Sequence, residues 1–85
     1  MQKVEFISLK FDEKAEFLWQ YSEIISQMVY YDCNVSLFLL DGYFVEVFFN
    51  REEKKLVSIE VQENSQILYN YVKDLNISEI IKLLQ

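Results

Sequence analysis

Residues 37–49 read LFLLDGYFVEVFF, with Asp41-Gly42 set between two apolar runs. No other stretch of the chain constrains the fold as tightly. Asp-Gly between alternating apolar residues is a strong hairpin signal, because a tight turn of the right twist needs positive φ at both central positions. A two-residue loop also locks the register, so that Leu40 opposes Tyr43 and Phe38 opposes Val45. One face of the hairpin then carries Ser36, Phe38, Leu40, Tyr43, Val45, Val47 and Phe49, and the other carries Val35, Leu37, Leu39, Phe44, Glu46 and Phe48. Both faces are oily, whereas a small protein in water needs only one of them buried. What covers the second face is the question the fold has to answer.

The segment Leu56 to Gln62 selects the core face. It alternates Val57, Ile59 and Val61 against Ser58, Glu60 and Gln62. A buried face collects the β-branched residues. Val45, Val47, Phe49, Val57, Ile59 and Val61 are therefore expected inside, with Glu46, Ser58 and Glu60 facing water. That parity requires an odd-length connection around Arg51 to Lys55: a five-residue loop, or a three-residue loop with a bulge.

Helical spacing brackets these strands. Phe17, Leu18, Tyr21, Ile24, Ile25, Met28 and Val29 recur at intervals of three and four, predicting one helix from an Asp12 N-cap to about Tyr31, with Asp12, Glu13 and Glu16 at the positive end of its dipole. Residues 3–9 read as a short strand or an extended arm. After Ser65, a second N-cap, Ile67, Leu68, Tyr71, Val72 and Leu75 form another stripe, and Ser78 caps a last turn holding Ile80, Ile81, Leu83 and Leu84. The expected fold is α+β: a long N-terminal helix packed on a three-stranded antiparallel β-meander, followed by one or two C-terminal helices, in a single domain over residues 1–85.

Composition supports a packed domain. The 85 residues are 52% hydrophobic and 16% aromatic, with no proline and one glycine, which is far from a disordered composition. A chain of this size still buries only about 60–65% of its unfolded surface, so packing must be dense or another chain must help. The net charge of −6 repels phosphate backbones, and the basic residues are scattered, so no nucleic-acid partner is expected. An acidic surface instead suits a basic protein partner. The single cysteine, Cys33, allows no internal disulfide and points to a reducing, cytoplasmic setting. MQKVEFISLK lacks the apolar core of a signal peptide, and no apolar run approaches the roughly 20 residues that span a bilayer, so no membrane role is expected.

The chemistry is read mainly by exclusion. With no histidine there is no imidazole triad, metal ligand or near-neutral switch. One cysteine makes no zinc site, and one glycine makes no phosphate-cradling loop. Asp12-Glu13 and Glu52-Glu53 read as helix-start and loop charges, not as a spaced calcium loop. No cofactor or metal is implied. Glu46 and Glu60, as neighbours on the outer face, could in principle share acid–base work, but solvated strand charges are the ordinary role of such residues.

The outer face of Val35, Leu37, Leu39, Phe44, Glu46, Phe48 and Glu60 is too apolar for water and too charged for a deep core. It is covered by the C-terminal segment, by a second copy in a homodimer, or by a different protein. Trp19 lies off the helical stripe, either beneath a folded-over N-terminal arm or as an interface anchor. These eight residues are the candidate protein interface.

The stretches EFISLKFDEKAEFLW and VSLFLLDGYFVEVFF, with "IE" in a following strand, resemble a group of small acidic bacterial proteins of no assigned activity. The likeness spans most of the chain, through Glu5, Phe6, Leu9, Glu13, Lys14, Leu18, Trp19, Leu37, Leu40, Asp41, Gly42, Phe44, Val45, Glu46 and Val47. The tyrosine- and asparagine-rich second helical region departs from that pattern. The resemblance carries no catalytic residue and implies a native bacterial cytosolic protein.

The leading expectation is a small non-enzymatic protein-binding module, inhibitor- or immunity-like or self-associating. The rivals are a small-ligand binder with a pocket lined by Tyr43, Tyr69 and Tyr71, and a minor enzyme using Glu46 and Glu60.

Overall fold

A computed structural model of the chain describes residues 1–73. Its elements run α1 (Lys3–Ile7), α2 (Phe11–Tyr21), β1 (Glu23–Tyr30), β2 (Cys33–Leu40), β3 (Tyr43–Asn50), β4 (Lys55–Gln62) and α3 (Ser65–Val72). The strands form one antiparallel sheet in the order β1-β2-β3-β4. The class is α+β, but the expected long helix on a three-stranded meander is not the architecture. The helix stops at Tyr21, and residues 23–30 form a fourth strand.

The cause is local. Ser22 adopts extended backbone, and both its N–H and its hydroxyl donate to the Leu18 carbonyl, at 3.2 and 2.6 Å, closing the helix. Beyond it, a bulge falls at Ile25, between Ile24 paired with Phe38 and Ser26 paired with Leu37. Ile24 and Val29 therefore share one face of the sheet, while Ile25 and Met28 lie against the other. A bulged strand thus reproduces the three- and four-residue spacings of a helical stripe. The turn after β1 gave no warning either. Tyr31-Asp32 is a two-residue loop without glycine, Tyr31 takes φ 55°, and Arg51 holds the loop from outside by donating its backbone N–H to the Asp32 carbonyl at 2.9 Å.

The Asp41-Gly42 turn behaves as its sequence implies, with φ of 49° and 86°, Leu40 opposite Tyr43 and Phe38 opposite Val45. The link from β3 to β4 is neither length that was expected. Residues 51–54 form a four-residue loop, Asn50 Oδ1 accepts from the N–H groups of Glu52 and Glu53 at 2.9 and 2.8 Å, and a bulge between Phe48 and Phe49 restores the parity. Val57 is the extra residue of that bulge and is 44% exposed, so Leu56 rather than Val57 packs beside Phe49. Glu46 still pairs with Glu60, and Val47 with Ile59.

Helices pack on both faces of the sheet. On one, α1 and α2 bring Phe6 and Leu18 against Leu40, Val45, Val47 and Ile59. The N-terminal segment is a short helix rather than a strand or arm, and Phe6 is its fully buried residue. Helix α2 starts at Phe11 after a Lys10 N-cap, not at an Asp12 cap, and Glu13 turns back to accept from the Lys10 N–H at 2.9 Å. On the other face, α3 lays Leu68, Tyr71 and Val72 over Val35 and Leu37. Asn64, one residue before the expected Ser65, caps α3 by accepting from the N–H groups of Gln66 and Ile67. The expected final turn from Ser78 to Leu84, and Leu75, lie outside the described residues.

Candidate functional site

Alternation along β3 sends Phe44, Glu46 and Phe48 to the α3 side of the sheet. The pairings then build a row across that side, Ser26–Leu37–Glu46–Glu60, with Met28–Val35–Phe48–Ser58 beside it. Glu46 sits mid-sheet in this row and is only 8% exposed. The expectation that its carboxylate faces water is overturned, because α3 crosses above it. Tyr71 Oη donates to Glu46 Oε2 at 2.6 Å, and Gln62 Nε2 donates to Oε1 at 3.0 Å. Ser26 Oγ donates to the Tyr71 carbonyl at 3.2 Å, so the same tyrosine is tied to β1 by its backbone and to β3 by its ring. Among the described residues no buried side-chain nitrogen or oxygen lacks a partner. Burial, then the hydrogen bond to the Glu46 carboxylate, then the charge on Glu46 push the Tyr71 hydroxyl far above the usual tyrosine range, so it stays a donor.

Beside this polar seam a cavity of about 380 Å³ opens between sheet and helix, lined by Met28, Tyr30, Phe48, Asn70, Tyr71 and Glu46 among others. Tyr30 and Phe48 meet edge to face at 6.4 Å. On the opposite side of the sheet, α2 is too short to cover the whole face. It leaves a groove of about 320 Å³ walled by Phe38, Phe49, Leu56 and Leu18. Trp19 stands at the mouth of that groove, 89% exposed.

The structure divides the eight candidate interface residues. Val35, Leu37 and Glu46 are buried beneath α3; Leu39, Phe44 and Phe48 are half-buried; Glu60 is exposed on the edge strand β4. Trp19 is on the other side, with no N-terminal arm over it. Of the tyrosines expected to line one pocket, only Tyr71 does so. Tyr69 points to solvent, and Tyr43 lies on the α2 side, where it packs against Phe6 and donates to the Met1 carbonyl at 3.0 Å. Burial, helped by the charges of Asp41 and Glu5, raises the Tyr43 hydroxyl as well. Met28, Tyr30 and Asn70 were missed as site residues. The first two were assigned to a helix, and Asn70 carries no signal by itself.

Among the described residues no three acidic or thiol side chains converge where a metal ion could be held, and no helix is long and apolar enough to cross a membrane. No family model matches this chain, and no curated protein or solved structure matches it either.

Proposed function

We propose that this chain is a small non-enzymatic binding module that grips a protein partner on its α2 side. The observation that carries the reading is Trp19, almost fully solvated at the mouth of an apolar groove. A tryptophan held in water beside a hydrophobic slot gains much from desolvation by a partner, and tryptophan is enriched among the residues that dominate interface energies. The groove is where the sheet's surplus of apolar side chains remains accessible, since α3 covers the other side. The net charge of −6 favours a basic partner, consistent with an inhibitor- or immunity-like role in a cytosolic setting.

The chain has one tryptophan, so its fluorescence reports this surface alone. In extract from the native host, the wild-type chain should retain a specific protein that Trp19→Ala does not, with both chains equally folded. The purified partner should shift the tryptophan emission to the blue. Equal capture by both chains, or an emission unchanged on binding, would place the interface elsewhere. A concentration-dependent mass that disappears in Trp19→Ala would identify the partner as a second copy.

A further inference from the structure

The geometry points to the cavity between the sheet and α3 as a binding site for a small organic cation: a primary ammonium on a short apolar or aromatic body, with Glu46 as its counter-charge. This site lies on the opposite side of the sheet from Trp19 and is independent of the protein-binding reading.

Charge decides the class of ligand. Glu46 is buried to 8% exposure, lines the cavity, and among the described residues is held by the neutral donors of Tyr71 and Gln62 alone. Among the described residues the ion pairs are Met1 with Asp41, Lys3 with Glu63, and Lys55 with Glu53, and none of them reaches it. Its cross-strand neighbour on the same face is Glu60, a second negative charge where like charges oppose. A carboxylate buried without a counter-ion is costly, and a cation arriving from solution offsets that cost. Each carboxylate oxygen has two acceptor positions and among the described residues uses one, which leaves room for an ammonium to donate.

The walls decide the rest. Tyr30, Phe48 and Tyr71 present aromatic surface and Met28 a polarisable one. Aromatic faces attract ammonium groups and accommodate an apolar stem. A cavity of about 380 Å³ falls within the usual range for small-molecule sites. A hard metal ion needs several oxygen ligands at once, and the described residues offer no such cluster. Anions are repelled by Glu46 and Glu60.

The test uses 2-phenylethylamine, with 2-phenylethanol as the uncharged probe of similar shape, titrated at neutral pH by calorimetry and by amide chemical shifts. The amine should bind saturably at one site, ten- to a hundredfold more tightly than the alcohol, about the margin a charged hydrogen bond supplies. The shifts should centre on Met28, Phe48 and Asn70. Glu46→Gln should erase that preference, and Trp19→Ala should leave it intact. Equal binding of amine and alcohol, shifts centred on Trp19, or no saturation by the amine at millimolar concentration would each overturn the assignment. The amine-to-alcohol ratio on the wild-type chain decides the matter even if Glu46→Gln does not fold.

Discussion

The two sides of the sheet are built from the same strands and solve opposite problems. The α2 side is closed by apolar contacts: Phe6 and Leu18 meet Leu40, Val45, Val47 and Ile59, with no charged side chain among them. The α3 side is closed around a charge, with Tyr71 and Gln62 bonded to Glu46 and Ser26 bonded to the backbone above it. An apolar contact is strong but non-directional, so a helix on such a surface can slide. A buried carboxylate with specific donors is satisfied in few arrangements. The first side thus contributes non-directional apolar burial, while the second fixes where α3 lies and leaves a polar atom facing a cavity.

The contrast can be broken most sharply on the α2 side. Phe6→Ala empties the centre of that cluster and should cost about 3–5 kcal/mol in urea unfolding. A loss below about 1 kcal/mol would show that α1 is not part of the core. On the α3 side Tyr71→Phe removes the donor to Glu46 Oε2 and should cost about 1–3 kcal/mol. Combining it with Glu46→Leu should recover most of that loss, since an apolar pair of similar bulk leaves no buried charge behind.

Alkaline pH sharpens the same comparison. The Tyr71 hydroxyl is raised above its ordinary value of 10.0 by burial first and by Glu46 second, so the folded chain holds this proton more tightly than the unfolded chain. Its contribution is complete below about pH 10 and drains away as the pH rises further. Tyr43 is raised too, by burial and by Asp41 and Glu5, and loses its part in the same direction. Urea midpoints measured upward from about pH 9 should fall less steeply in Tyr71→Phe than in the wild type. Equal slopes would mean that the hydroxyl is not held as the structure has it. The smallest effect is expected at Trp19, where Trp19→Ala should change stability by no more than about 0.5 kcal/mol, because the ring is solvated in the free chain.

Particular residues show where the sequence was legible. Asp41-Gly42, with Leu40 facing Tyr43, was readable because turn chemistry and strand parity are local properties. The alternation of β4 was readable for the same reason, although Val57 fell into a bulge that no composition announced. Residues 23–30 were misread as helix because Ile24, Ile25, Met28 and Val29 have spacings that a helix and a bulged strand share. Trp19 stood out from its stripe in the sequence, but its position at the mouth of an open groove depends on where α2 ends.

The sequence by itself determined the hairpin, its register and the presence of two oily faces. Those follow from residue type and from a period of two along the chain. Only the tertiary structure decided what covers each face and that Glu46 is buried. A carboxylate's surroundings are set by what crosses above it, and here that is Tyr71, 25 residues further along the chain. No periodicity within β3 carries that information.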